Sequence, residues 1–266
     1  MRLPLSGEIH RVSRRPFVPL GDGIIDHVGN LQDFNFVKGL AELKFDRLIH
    51  LAWEGLPELS SENNNLNLRV SKEFIKIMVQ SGVSEVNITG SCLEYGELDM
   101  SVSEDSIGIN IGQFGECKLE LLQFIQELRI PYRWLRIFYA YGPNQHPNSL
   151  LSAAFGKAQR QMLFNPKDPT VARDFIFVDD VASAFLLLLK KESAHGIFNV
   201  GSGKSTGVTE ILSLLYSRLD SIPFDTKVSR KSLHADWSKI QAACGWEPKV
   251  DLREGVNRFI DWRERQ

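Results

Sequence analysis

The chain has 266 residues, of which 43% are hydrophobic and 24% charged, a composition that can bury a sizeable core and excludes a disordered or fibrous polypeptide. Its 31 Lys and Arg against 33 Asp and Glu leave a net charge of −2, which gives no electrostatic basis for binding nucleic acid or an anionic membrane. The densest apolar run, Ala182 to Leu189, contains Ser183 and falls far short of the roughly 20 residues that a bilayer span requires.

The first residues, Met1 to Arg15, hold no apolar run long enough for a signal-peptide core, so a cytoplasmic protein is expected. Cys92, Cys117 and Cys244 are widely spaced and lack zinc-site spacing, so neither a metal site nor a disulfide framework is expected. In chain order, short β-type runs alternate with longer helical segments, the pattern of an α/β parallel sheet with covering helices. The expected strands are Glu8–Ser13, Ile24–Val28, Arg47–Leu51, Glu85–Thr89, Arg133–Tyr139 and Ile197–Val200. The expected helices are Phe34–Leu43, Leu66–Gln80, Glu116–Leu128 and Val181–Lys190. In the second helix Val70, Phe74, Ile77 and Met78 repeat at three or four residues and make one face apolar; Ser81 and Gly82 end it.

The last third is punctuated by Pro143, Pro147, Pro166 and Pro169 and loses the regular alternation, which predicts a smaller lobe packed on the sheet. Residues 1–142 and 170–202 read as the sheet-containing portion, and 143–169 with 203–266 as the lobe. Within the lobe, Gly201-Ser-Gly-Lys-Ser-Thr206 ends like a phosphate-binding loop. Phe198 stands where the leading glycine of that motif belongs, so the string is read as a glycine turn between a strand and a helix near Val208.

A second set of strings is informative through its order. It comprises Arg47-Leu-Ile-His-Leu-Ala52, Ile88-Thr-Gly-Ser-Cys-Leu-Glu-Tyr-Gly96, Phe114-Gly-Glu-Cys-Lys118 and Leu135-Arg-Ile-Phe-Tyr-Ala-Tyr-Gly-Pro143. Arg173-Asp-Phe-Ile-Phe-Val-Asp-Asp-Val181, Phe198-Asn-Val-Gly-Ser202 and Gly245-Trp-Glu-Pro248 follow. Over nearly its whole length the chain resembles the extended short-chain dehydrogenase/reductase family, the NAD-dependent epimerases, dehydratases and 4-ketoreductases of nucleotide-diphosphate sugars.

The resemblance implies a Rossmann-like, doubly wound sheet and a site in which a Ser or Thr and a Tyr bond the sugar, while a Lys four residues after the Tyr lowers its pKa. The Tyr moves the proton as nicotinamide exchanges a hydride. Ser91 matches the Ser/Thr and Lys118 the Lys, whereas Phe114 occupies the Tyr position. A phenyl ring has no proton to exchange, so the family's acid–base route is expected to be lost or severely reduced. Without the resemblance, Ser91 reads as a strand-end cap and Lys118 as a solvated helix residue.

On the cofactor side, Gly7-Glu-Ile-His-Arg-Val-Ser-Arg-Arg-Pro16 resembles the family's second strand and the loop after it, which implies an N-terminally truncated sheet without the first strand and glycine-rich phosphate loop. In the family's strand order that first strand is central. Its neighbours are expected to close up, to be completed by preceding residues, or to accept another chain. Arg14 and Arg15 stand where an arginine suits NADP over NAD; Asn30 and Leu31 match an adenine-contacting segment, and Leu51, Ala52 and Trp53, with Lys118, the residues under the cofactor.

For a nucleotide-diphosphate sugar partner, the resemblance carries substrate contacts onto Ser91, Tyr139, Asn148, Ser149, Leu150 and Arg173, with Arg230 as a second arginine. The 88–96 and 138–143 strings look most like the 4-ketoreductase and deoxysugar branch. A role in supplying surface-polysaccharide precursors is implied. So is a homodimer or heterodimer formed through a helix-bundle face, Leu66–Gln80 with Glu116–Leu128. The alternative is a non-catalytic relative that binds a sugar nucleotide or pairs with an active homologue.

Overall fold

The computed structural model describes residues 7–16, 23–58, 60–221 and 232–266. Its centre is a parallel four-stranded sheet of β3 (Arg47–His50), β4 (Glu85–Ser91), β5 (Tyr132–Ile137) and β6 (Gly196–Val200), in the order β6-β5-β4-β3. Each expected strand and helix has a counterpart, most with shifted ends and one, Arg133–Tyr139, divided in two.

Strands of such a sheet are buried on both faces and read as apolar runs. On one face, Val86, Ile88 and Trp134 pack beneath α1 (Phe34–Ala41), α2 (Ser61–Gln80) and α3 (Gln113–Glu127), against Val37, Phe74, Ile75, Leu121 and Ile125. On the other, Leu135, Phe198 and Val200 meet Ala184 and Leu188 of α5 (Val178–Leu189), together with Ile240 and Trp246. A third cluster joins Tyr141, Phe175 and Phe177 to α4 (Leu150–Ala158), α6 (Val208–Arg218) and α7 (Leu252–Arg263).

Two differences from the sequence expectation have local causes. The run Arg133–Tyr139 is not one strand: after Ile137 the chain turns aside, the Phe138 amide donates to the Val200 carbonyl at 3.0 Å and the Tyr139 amide to the Asp174 carbonyl at 3.0 Å. Tyr139–Tyr141 then pairs in parallel with Phe175–Phe177 in a separate ladder. Helix α2 starts at Ser61 rather than Leu66, because the Ser60 hydroxyl accepts from the Asn63 amide and caps it; the Asn63-Asn64-Asn65 run is its first turn.

At the other end of the sheet, β1 (Ile9–Ser13) and β2 (Ile24–Val28) form a parallel ladder of their own. Among the described residues no ladder joins them to β3. Side chains tie the parts together: the Arg14 guanidinium pairs with Glu54, and the His10 ring meets the edge of Phe45 at 4.8 Å.

The glycine turn after β6 is organised by a buried carboxylate. Asp174 accepts from the amides of Ser202 (2.7 Å), Gly203 (3.0 Å) and Ala235 (2.9 Å) and from the Ser202 hydroxyl (2.6 Å). Gly203 sits at φ +74°, in the left-handed region that favours glycine. The loop therefore wraps a carboxylate of its own chain, as the glycine-turn reading expects. Asp174→Ala leaves three amides without their acceptor and, at about 1 kcal/mol each, should lower the unfolding free energy by about 3 kcal/mol. A urea titration with unchanged slope and a clearly lower midpoint checks this; an unmoved midpoint would show that the turn holds itself.

Candidate functional site

The C-terminal ends of β4, β5 and β6 are joined by a buried polar network, and the site is built on it. Gly90 allows the approach: a Cβ there would lie 2.1 Å from the Trp134 indole nitrogen. Next to it, the Glu94 carboxylate accepts from the Ser91 amide (2.7 Å), Trp134 Nε1 (3.0 Å) and Arg136 Nε (2.7 Å). Arg136 continues to the Glu104 carbonyl at 2.9 Å and lies 4.4 Å from the Tyr95 ring centroid. Tyr95 donates to Asn199 Oδ1 at 2.7 Å, and burial pushes its hydroxyl up to about 12. Glu94, Arg136, Asn199 and Asp174 were not singled out in the sequence; their signal is that charged and amide side chains interrupt apolar strings at strand ends.

Ser91 ends β4, and its hydroxyl accepts from the Leu93 amide at 3.1 Å while Glu94 bonds back to the Ser91 amide. This capping box fixes the 3-10 turn Cys92–Tyr95, so the strand-end role expected of Ser91 is present whether or not it also meets a ligand.

Phe114 and Lys118 lie one turn apart on α3, as their spacing dictates. Lys118 is not the solvated residue its isolated reading suggests. It is 3% exposed, because α3 turns it toward the sheet, where Nζ donates to the Thr89 carbonyl at 3.0 Å. Burial lowers its pKa to about 7, against a smaller upward pull from Glu94. Trp53 covers it, with the ring centroid 3.9 Å from Nζ. The same indole meets the Phe114 ring edge-on at 5.4 Å. Behind it, His50 is buried against the Ser71 hydroxyl at 2.9 Å, and burial, with Lys118 nearby, drops its pKa to about 3.

Phe114 also lines a cavity of about 740 Å³. Leu93, Val171 and Leu233 supply apolar wall, and the polar lining includes Tyr139 and Arg173 together with the carboxylates of Glu97 and Asp99. The Arg173 guanidinium donates to the Ala172 carbonyl at 2.9 Å and lies 5.0 Å from the Tyr139 ring centroid. No carboxylate is within ion-pair distance of it among the described residues. Burial raises the Tyr139 hydroxyl to about 12, so it is a neutral donor at physiological pH.

The structure thus gathers Phe114, Tyr139 and Arg173 on one cavity, and Trp53, Phe114 and Lys118 in one cluster. Ser91, Lys118 and Trp53 are not among the residues lining the cavity. Nor are Asn148, Ser149 and Leu150: Asn148 is exposed and donates to Glu58 at 3.1 Å, Ser149 precedes α4 without a side-chain cap bond, and Leu150 packs on the C-terminal core. Asn30 caps its own turn through the Gln32 amide, and Leu31 packs on the α1–α3 core. Leu51 and Ala52 are exposed, Arg15 is exposed, and Arg14 is engaged by Glu54. Arg230 lies outside the described residues.

Measured against a nicotinamide dinucleotide, these residues do not fit. The ammonium that would meet it is withdrawn from solvent beneath an indole, and one arginine that would meet a 2′-phosphate already holds a carboxylate.

The depressed pKa of Lys118 sets a pH signature. Its amine is harder to protonate folded than unfolded, so its contribution to stability rises with pH between about 7 and the ordinary lysine value near 10.4 and is least favourable below that window. Lys118→Met should therefore be stabilised relative to the parent most at pH 7 and below, with the difference shrinking by up to about 4 kcal/mol toward pH 10. Paired urea titrations at pH 6, 7, 8.5 and 10 check this; a constant difference would contradict the burial of a titrating amine.

The model of the NAD dependent epimerase/dehydratase family matches residues 6–201, well over half of the chain. A UDP-glucose 4-epimerase of Halalkalibacterium halodurans is 28% identical over 90% of this chain and 85% of its own. The dTDP-4-dehydro-6-deoxyglucose reductase of Escherichia coli is 26% identical over 80% of this chain and 73% of its own. Among solved structures, MoeE5 in complex with UDP-glucuronic acid and NAD superposes with a TM-score of 0.81 at 26% identity, covering 97% of this chain and 91% of that one. The UDP-glucose 4-epimerase of Thermotoga maritima, at 21% identity and a TM-score of 0.80, shares the fold over 97% of this chain and 91% of its own. Family match, relatives and fold agree: the chain is a member of the NAD dependent epimerase/dehydratase family.

Proposed function

We propose that this chain acts in nucleotide-sugar metabolism by taking a nucleotide-diphosphate sugar into the 740 Å³ cavity. The observation that carries this reading is Arg173: a guanidinium on the cavity wall, with no carboxylate beside it among the described residues, suits the charge-assisted, paired contacts that a diphosphate accepts. Tyr139, beside it and neutral, adds a hydroxyl donor, and Leu93, Val171 and Leu233 offer apolar surface to a base or sugar face. The relatives support the substrate class, since their names specify UDP-glucose, UDP-glucuronic acid and dTDP-deoxyhexose chemistry. In this reading residues 143–169 and 203–266 form the substrate lobe, and the α2–α3 face, where Lys72 pairs with Glu120 at 2.7 Å, is the surface for a second copy or an active relative.

The chemistry at position 114 separates recognition from turnover. The family's proton transfer needs a phenol, and Phe114 presents a ring without one, packed edge-on to Trp53. The chain therefore binds the sugar nucleotide and, as it stands, does not move the proton. Of the two dinucleotides, exposed Arg15 favours NADP in any form of the protein that holds one.

Isothermal titration with UDP-, dTDP- and GDP-hexoses tests the reading. One of the three should bind saturably, and Arg173→Ala should weaken it at least about tenfold, or 1.4 kcal/mol. No binding of any of them, or binding indifferent to Arg173, would sink it.

A further inference from the structure

Trp53 follows β3 as the fourth residue of His50-Leu-Ala-Trp53, and its indole is held from several sides. Nε1 donates to Asn64 Oδ1 at 3.2 Å, and Asn64 is itself 1% exposed in the first turn of α2. The next residue is pinned to the same helix twice: the Glu54 amide donates to Asn67 Oδ1 at 2.7 Å and Asn67 Nδ2 returns to the Glu54 carbonyl at 2.8 Å. One face of the ring is stacked on the Lys118 ammonium at 3.9 Å, and Phe114 meets the indole edge-on at 5.4 Å. Lys118 completes its coordination inward, on the Thr89 carbonyl, and is left 3% exposed.

An ammonium so enclosed has an aromatic quadrupole and a carbonyl where a solvated lysine has water. A ligand hydroxyl or ring can reach it only if the indole leaves, and the indole leaves only if the Asn64 bond, the edge contact and the ammonium contact break together. We propose that Trp53 is a built-in occupant of the space over Lys118, closing that ammonium to a nicotinamide cofactor, so that the chain receives its sugar nucleotide alone. The second half of this statement rests on the sugar-nucleotide reading of the cavity; the first half stands on the Trp53–Lys118 geometry. Phe114 borders both places: with Tyr139 and Arg173 it lines the open cavity, and with Trp53 it packs around Lys118.

The test uses the 266-residue protein. NADH and NADPH titrations followed by nicotinamide fluorescence should show no saturable binding at micromolar concentration. Labelling with an amine-reactive succinimidyl ester, read lysine by lysine by mass spectrometry, should leave Lys118 at least tenfold less modified than the exposed lysines. Trp53→Ala should raise modification of Lys118 at least tenfold and leave the other lysines unchanged. Trp53→Leu, which keeps an apolar side chain against Phe114 but removes the aromatic face, should raise it in the same direction. Saturable NADH or NADPH binding by the parent protein, or a Lys118 as reactive as the surface lysines, overturns the proposal without either variant. A Lys118 that stays unreactive in a folded Trp53→Ala or Trp53→Leu protein overturns it as well. The outcomes for the two readings separate: failure of every sugar nucleotide to bind removes the cavity assignment and leaves the labelling result standing, whereas dinucleotide binding removes the Trp53 assignment and leaves sugar-nucleotide calorimetry untouched.

Discussion

The arrangement of the site depends on one carboxylate. Glu94 is fully withdrawn from water and would be intolerable there unpaired, yet it receives three donors: the Ser91 backbone amide at the end of β4, and both an indole and a guanidinium from β5. Satisfying it fixes three things at once. The end of β4 must turn at Ser91, β5 must present Trp134 and Arg136 on neighbouring alternate positions, and Arg136 must then extend to Glu104 and Tyr95, which in turn orient Asn199 on β6. Three strand ends are thereby held in one frame, and the cavity wall made by Leu93, Phe114 and Tyr139 is attached to it. A network of this kind adds less to net stability than to uniqueness, because any alternative register leaves a buried charge without its partner.

Much of the central fold is legible in the sequence for a simple reason. Strands and helices are written with different periods, so the two-residue alternation of Glu85-Val-Asn-Ile-Thr89 and the three-four repeat of Val70 to Met78 declare themselves. Element ends are less legible because they are decided by partners distant in sequence. The strand through Arg133–Tyr139 breaks at Phe138 because Val200 and Asp174 offer carbonyls there, and nothing local in the string announces it. The same is true of the loop at Gly201 to Thr206: its glycines are visible, but the acceptor that shapes it is Asp174, nearly thirty residues earlier.

The site was legible in its residue types and not in its partition. The order of strings brings Phe114 and Lys118 onto one helix face and Tyr139 and Arg173 to one wall, and the structure places them so. What no string encodes is that Lys118 stays outside the cavity that Phe114, Tyr139 and Arg173 line. Lys118 reads as an exposed helix lysine because its own neighbours, Cys117 and Leu121, mark the buried face without saying how far it extends; only the position of Trp53, contributed by the loop after β3, makes that face wide enough to swallow the ammonium. In the same way Asn148 looks like a ligand contact and is spent on Glu58 at the surface.

The residues around Lys118 are mutually consistent in physical terms. A buried ammonium beside a phenyl ring, with only the Thr89 carbonyl for company, carries a large desolvation cost, and a phenol in place of Phe114 would have offered it an oxygen. Here the compensation comes from the face of an indole: a desolvated cation over tryptophan is the strongest of the side-chain cation–π pairs, on the order of 2 kcal/mol. The phenyl ring at 114 and the indole at 53 therefore act together, because the ring that accepts the charge also fills the space over the ammonium. Arg173 differs from Lys118 in this respect. Its own aromatic neighbour, Tyr139, lies at 5.0 Å, and the guanidinium stays half-buried on the cavity wall, whereas the Lys118 ammonium is fully buried and covered.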